Sequence, residues 1–333
     1  MRQTALPIAL LILVTGVLYL PTLGYPLVYE DLNDTETFLA STTLSALGQQ
    51  LVARPTRALT EVSFAVNRLV FGAENPVGYH AGSVALHLVN VALVVLLAWQ
   101  WMPPVAAILV ASAFAVHPLN VEAVAYVSAR AELVAASGVL LALLAASLGS
   151  FAGALCGVLL ACLGKETAVM AWGLVPLWVW ATRTPFPKRR WLLVGGIVAV
   201  AGIAALSWPH VAFGLDAGII NRSLVAVWRL VSLVFVPIGL TIDHDWNGVP
   251  LWLQSLAVGG IVTATLASLW TLQQRVSWWA LAWLSTVLWF LPRFVVPAPE
   301  GLHDHHAYLI GAVWLLCAGA WLSRFHFRAG VTP

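Results

Sequence analysis

The chain has 333 residues, of which 61% are hydrophobic and only 9% charged, and its mean hydropathy is +0.89. Soluble domains carry about 25% charged residues, so a water-soluble globular domain is excluded. A formal net charge of +2 is too small to argue for nucleic acid as a partner. Length alone accommodates about two soluble domains, but apolar runs recur from Leu6 to Leu322 with no polar interval long enough to hold one. The chain therefore reads as an all-α polytopic membrane protein with one transmembrane domain over residues 1–333. Cys156, Cys162 and Cys317 all sit inside apolar runs and read as small buried hydrophobes.

A membrane span needs roughly 20 apolar residues. Ten spans are predicted in chain order, at residues 5–25, 80–99, 104–116, 131–148, 151–163, 168–181, 191–208, 251–270, 276–291 and 308–322. The first follows Met1-Arg2-Gln3-Thr4 without a small-x-small cleavage site, so it reads as a signal anchor. The loop 26–79 carries Arg54, Arg57, Glu61 and Arg68 between apolar residues at helical spacing, which predicts interfacial helices. The apolar run 131–163 would reach about 50 Å as one helix, against a hydrocarbon core of about 30 Å. A hairpin at Gly149-Ser150 is expected instead. The segment 209–250 holds an apolar stretch, 219–240, between two spans whose facing ends lie on the same side, so a re-entrant or surface helix is expected there.

Charge orients this arrangement, because short cytoplasmic loops are rich in Lys and Arg. With both termini cytoplasmic, the inner side receives Arg2, Arg183, Lys188, Arg189, Arg190, Arg275, Arg324 and Arg328 and no acidic residue. All 14 carboxylates then fall on or near the extracytoplasmic side, periplasmic or luminal. Glu30, Asp31, Glu122, Glu132, Glu166 and Asp304 lie there with Arg54, Arg130, Lys165, Arg293, His117, His303, His305 and His306. Ionisable groups at a membrane boundary are costly to desolvate and are functional candidates on that ground.

The motifs on this face occur in a telling order. Leu27-Val28-Tyr29-Glu30-Asp31 follows the first span, then come Arg54-Pro55-Thr56-Arg57, Asn75-Pro76-Val77-Gly78-Tyr79-His80, and the long run His117-Pro118-Leu119-Asn120-Val121-Glu122 through Ser128-Ala129-Arg130-Ala131-Glu132-Leu133. Gly164-Lys165-Glu166-Thr167 follows. This series resembles the membrane half of TMTC-type protein O-mannosyltransferases, within the GT-C class of glycosyltransferases. The chain departs from the family's usual pattern in Glu30-Asp31 for an acidic Asp-Asp pair, in Ala129-Arg130-Ala131-Glu132 for Gly-Arg-x-Asp, and in Asp304-His305-His306 where Glu-Arg is usual. TMTC proteins also carry tetratricopeptide repeats after the membrane part, and none is expected within these 333 residues.

The resemblance implies a polyprenyl-phosphate sugar as donor, a protein or glycan hydroxyl as acceptor, and chemistry on the extracytoplasmic face. Such a transfer needs one base for the acceptor hydroxyl and cations for the departing phosphate. Asp31, with Glu30 as the alternative, is the expected base by position in the motif. Arg130, Lys165 and Arg293, joined by His305 and His306, are the expected phosphate ligands, with Arg54, His117, Glu122, Glu132, Glu166 and Asp304 in support. A divalent metal would draw on Asp243, Asp245 and His303, since imidazole and carboxylate together suit such ions, although neighbours in sequence rarely aim at one ion. His80 and His87, seven apart on one helical face, read as hydrogen-bonded helix-interface residues. Two other classes stay open at this point: a non-catalytic GT-C-like subunit bound to a membrane protein partner, and a lipid or solute transporter.

Overall fold

The computed structural model describes residues 2–28, 31, 48–49, 51–52, 54–72, 75–187, 189–191, 195, 217–241, 248–295 and 303–329. Glu30, Asp243, Asp245, Lys188 and most of the expected span 191–208 lie outside the described residues. Among those residues every regular element is helical: α1 Arg2–Tyr19, α2 Ala58–Phe71, α3 Pro76–Ala98, α4 Pro104–Ala115, α5 Asn120–Ala125, α6 Arg130–Ser147, α7 Phe151–Gly164, α8 Ala171–Thr182, α9 Ala217–Phe235, α10 Leu251–Gln274, α11 Trp278–Val295 and α12 Tyr308–Ala329. Short 3-10 turns at Val127–Ala129, Glu166–Met170 and Asp304–Ala307 lead into α6, α8 and α12.

Five of these segments are long and apolar enough to cross a membrane: Leu6–Gly24, Pro76–Ala98, Val127–Ser147, Leu251–Gln274 and Asp304–Phe325. They coincide with five of the ten expected spans. Helices α4, α7 and α8 have 12, 14 and 12 residues, so at 1.5 Å per residue they reach only about 18–21 Å, short of a hydrocarbon core of about 30 Å. Helix α9 falls on the expected re-entrant segment. It buries Ala226, Val227, Leu230, Leu233 and Val234 against α10, α11 and α12.

The Val127–Ser147 segment is the hub, with 89% of its apolar window buried inside the protein, against 17% for the Leu6–Gly24 and Leu251–Gln274 spans at the periphery. Those outer helices expose Leu6, Leu10, Leu13, Leu256, Leu266 and Trp270. Continuous apolar faces of this kind are tolerated next to lipid and not next to water. Helix α2 is turned the same way, because Thr60, Glu61 and Asn67 face inward while Val66, Leu69 and Val70 face out.

The turn expected at Gly149-Ser150 is present. Gly149 has φ +74°, a conformation that only glycine adopts without cost, and the Ser150 hydroxyl caps α7 by accepting from Gly153 N at 3.2 Å. Below it α6 and α7 pack backbone to backbone. A Cβ on Gly138 would lie 2.4 Å from Ala161 N, and one on Gly157 would lie 2.5 Å from Ala142 N. Lipid supplies no hydrophobic drive between helices, so close approach of small residues is what holds such a pair together. The open end of this hairpin carries Glu132 at the start of α6 and Lys165 just after α7, which places them side by side.

All the described carboxylates sit at that end of the bundle. At the opposite end Trp178 Nε1 donates to Ser147 Oγ at 3.0 Å, Arg183 Nη2 donates to Leu272 O at 2.7 Å, and the Arg324 guanidinium lies 5.4 Å from the Trp278 ring centre. The charges described there are all basic. Gly138→Ala and Gly157→Ala are expected to destabilise the protein by about 1–3 kcal/mol through overpacking. Gly259→Ala, with nothing within 4 Å of the added Cβ, serves as the neutral control, and thermal unfolding followed by tryptophan fluorescence in detergent separates the three.

Candidate functional site

Two groups of polar side chains form at the carboxylate-bearing end. The first surrounds Arg130, which has no solvent exposure. Its Nε donates to Ser83 Oγ at 3.2 Å, Nη1 to Ser63 Oγ at 3.3 Å and to Asn67 Oδ1, and Nη2 to the Tyr79 carbonyl. The guanidinium also lies over the Phe64 ring, 4.2 Å from its centre, an additional cation–π attraction. Arg130 thereby joins α6 to α2 and α3. The turn just before it binds Asp31, which is 1% exposed. Asp31 Oδ1 accepts from both the backbone N–H and the hydroxyl of Ser128, at 2.7 and 2.8 Å, and Oδ2 accepts from Val28 N at 3.3 Å. His80 Nε2 donates to the Tyr25 carbonyl at 3.1 Å, fastening the chain after the first span.

The second group is built around Glu132, also buried. Lys165 Nζ donates to Glu132 Oε1, and His306 Nε2 lies 3.8 Å from the same oxygen. Arg293, on the last turn of α11, acts electrostatically on Lys165, His305 and His306. His305 is clasped by Glu122, whose Oε2 accepts from its backbone N–H at 2.9 Å and whose Oε1 meets Nδ1 at 2.8 Å. A carboxylate only accepts, so Nδ1 carries the hydrogen and the lone pair of the neutral ring is on Nε2. The three imidazoles lie close together: His303 and His305 stack with ring centres 5.4 Å apart, and His306 is tilted against His305 with ring centres 4.2 Å apart. Burial pushes the Lys165 pKa down, and Arg293 adds to that, while Glu132 and Glu166 hold it up.

Glu132, His305 and His306 each offer one ligand-type atom within 4.8 Å of the others, the spacing of a metal centre. Their hydrogen bonds do not suit one. Lys165 already occupies the Glu132 oxygen, and His306 Nδ1 accepts from the His303 N–H at 2.9 Å, which leaves the hydrogen of the neutral ring on the Nε2 that a metal would need.

The remaining expected residues act as fasteners. Glu166 pairs with Arg57 through two bonds, Nε to Oε2 at 3.0 Å and Nη2 to Oε1 at 2.9 Å. Arg54 is exposed and lies 3.8 Å from buried Glu61. Asp304 accepts from Thr241 N at 3.0 Å. His117 accepts from Leu119 N at 3.2 Å and donates from Nε2 to the Val234 carbonyl at 3.0 Å, so it anchors the end of α9. Burial lowers the pKa of His117, partly opposed by that carbonyl. His87 is held between Tyr308 Oη at 2.6 Å and the Ala115 carbonyl at 3.0 Å, with Asn90 and Ser137 completing the network.

Of the residues expected to hold phosphate, the fold thus brings Lys165, Arg293, His305 and His306 together. Arg130 belongs to the other group, and its donors are directed to protein acceptors. The motifs did not single out Ser63, Asn67, Ser83 and Ser128. One signal was available: His80, Ser83, His87 and Asn90 recur at helical spacing along an otherwise apolar helix, a polar stripe that has to face protein.

Arg130→Lys cannot span four acceptors from one ammonium. It is expected to cost about 3 kcal/mol or more by leaving buried oxygens unpaired, read as a lowered unfolding temperature. Glu166 gives a pH signature. Burial works to raise its pKa, but the Arg57 bonds and the charges of Arg57 and Lys165 prevail and hold it at about 2 against an ordinary 4.5. The folded state therefore binds the Glu166 proton less readily than the unfolded chain. Its stabilisation is fully present above about pH 4.5 and is lost as pH falls toward 2. The difference in unfolding temperature between wild type and Glu166→Gln should shrink over that interval.

No protein-family model matches the chain, and no solved structure does. Two Drosophila melanogaster proteins match in part. The protein O-mannosyl-transferase Tmtc2 is 37% identical over 136 residues, covering 36% of this chain and 14% of that protein. The protein O-mannosyl-transferase Tmtc1 is 35% identical over 176 residues, covering 46% of this chain and 20% of that protein. The matches thus span a fifth or less of either relative's length. They support a relationship between this chain and the TMTC-type protein O-mannosyl-transferases over that part of the sequence.

Proposed function

We propose that the chain is a GT-C-type membrane glycosyltransferase. It transfers a hexose, mannose in the first instance, from a polyprenyl-phosphate donor to a protein or glycan hydroxyl at the extracytoplasmic face, with inversion at the anomeric carbon. The observation that carries this reading is the convergence of Lys165 with Arg293, His305 and His306, more than a hundred residues further along the chain, at the same end of the bundle as Asp31. The partial similarity to two O-mannosyl-transferases favours this over transport. So does the crowding of ionisable groups at one end, since a translocation path would carry them through the middle of the bundle.

In this reading the donor phosphodiester lies against Lys165 and Arg293. An ammonium has three donors and Glu132 takes one of Lys165's, so the ion pair holds Lys165 in place and leaves donors for phosphate. As the bond between the anomeric carbon and the phosphate oxygen breaks, negative charge grows on the phosphate, and fixed cations stabilise it with no reorganisation at the moment of reaction. Asp31 takes the acceptor proton. Arg130 contributes by holding the turn that binds Asp31, and Glu122 by orienting His305.

With the purified chain in lipid nanodiscs, polyprenyl-phosphate-[3H]mannose and a serine- and threonine-rich peptide, label is expected to move to the peptide. Lys165→Gln is expected to lower kcat about 100-fold, the scale for losing one donor to a developing anion, and Asp31→Asn to abolish transfer while the protein stays folded. Wild-type activity in Asp31→Asn would remove the base assignment. Flipping of the lipid donor in liposomes without transfer would favour a transporter.

A further inference from the structure

We infer that Ser128 is a positioning residue for the reaction. It aims the Asp31 carboxylate so that Oδ2, rather than Oδ1, receives the proton of the acceptor hydroxyl. The inference rests on the proposed transferase reading and adds to it an atom and a supporting side chain.

The two oxygens of Asp31 stand in unlike surroundings. Oδ1 accepts two short bonds from one residue, the Ser128 N–H at 2.7 Å and the Ser128 hydroxyl at 2.8 Å. Oδ2 accepts a longer bond from Val28 N at 3.3 Å. An ionised carboxylate offers about two lone pairs per oxygen, so Oδ1 has both committed while Oδ2 keeps one in reserve. With both donors on one residue, the carboxylate is fixed in position and in rotation about its own axis. The bond also reaches across the chain, from the segment just after the first span to the turn Val127–Ala129, 97 residues away.

That turn is itself anchored. It leads directly into Arg130, whose guanidinium is spoken for by Ser63, Asn67, Ser83 and the Tyr79 carbonyl. Ser128 is therefore a donor mounted on a rigid support, which is what a base needs if it is to meet a bound hydroxyl without first reorganising. The step it serves balances simply. The acceptor O–H proton passes to Asp31 Oδ2, the acceptor oxygen bonds to the anomeric carbon, and the bond from that carbon to the phosphate oxygen breaks. Its electron pair leaves with polyprenyl phosphate.

Ser128→Ala removes the hydroxyl and keeps the backbone N–H, and Ser128→Thr restores the hydroxyl. With the radiolabelled donor and peptide in nanodiscs, Ser128→Ala is expected to lower kcat about 10- to 100-fold, the cost of a loosely held catalytic group. KM for the donor and the unfolding temperature should change little, and Ser128→Thr should recover most of the rate. A parallel fall in kcat and unfolding temperature, or no recovery with threonine, would show a merely structural role. An unchanged kcat in Ser128→Ala alongside an inactive Asp31→Asn overturns the positioning role and leaves the base intact, whereas full activity in Asp31→Asn overturns the base itself. A readout independent of turnover is the infrared carboxylate band of 13C-aspartate-labelled protein. Ser128→Ala should shift one carboxylate stretch in the wild-type background and none in Asp31→Asn. No shift in either background means that the hydroxyl does not bind Asp31.

Discussion

A guanidinium sealed from solvent has to find its hydrogen-bond acceptors inside the protein, and much of the carboxylate-bearing end of this molecule is organised by how Arg130 does so. Four acceptors and one aromatic face, supplied by α2 and α3, hold the first residue of the most buried helix. Removing any of them leaves a charged group underbonded in a medium where the deficit costs most. The consequence is a fixed turn at Val127–Ala129, and on that turn depends the seat of Asp31. Arginine fits this task because its planar fork satisfies several acceptors at once, which a lysine at the same place cannot do.

The Glu132 group answers a different need. There an ion pair, Lys165 with Glu132, is surrounded by three imidazoles and a second cation, and the carboxylate of Glu122 fixes the ring of His305. Paired charges that cannot be hydrated are weak evidence for stability, since an apolar pair of the same volume would hold the helices as well. In the proposed transferase reading, what they supply is a preorganised field for the donor phosphate. The backbone contact of α6 with α7 at Gly138 and Gly157 sets the separation of Glu132 and Lys165, so helix packing deep in the bundle and charge placement at its end are one design. The same logic explains α2, which turns its polar residues inward toward Arg130 and the Gly164 carbonyl and its valines and leucines outward.

How much of this was legible beforehand differs by element. The long apolar runs stood out because a helix surrounded by lipid has no reason to alternate, and the hairpin at Gly149-Ser150 followed from length alone. The short helices α4, α7 and α8 were expected to span and are 12 to 14 residues long. Apolar composition reports that a segment avoids water, and buried core and lipid contact satisfy that equally. At the candidate site, Lys165, His305 and His306 were nominated by their place in the motifs, and Arg293 by its position on the carboxylate-bearing face. The separation of Arg130 from them was not visible, because nothing in Arg130-Ala131-Glu132 says that the arginine points to α2 and α3 while the glutamate points to Lys165.

The sequence by itself determined that the chain is a helical membrane protein, and its order of charges predicted carboxylates gathered toward one end, where the described ones lie. Both facts follow from the cost of placing polar groups in hydrocarbon, a cost fixed by composition and order along the chain. Only the tertiary structure decided which charges meet. Hydrogen bonds over 2.7 to 3.3 Å depend on helix rotation and crossing distance, and these are set by contacts such as Arg130 against Ser83 and Asp31 against Ser128, between residues far apart in the chain and with no mark of pairing in their local sequence.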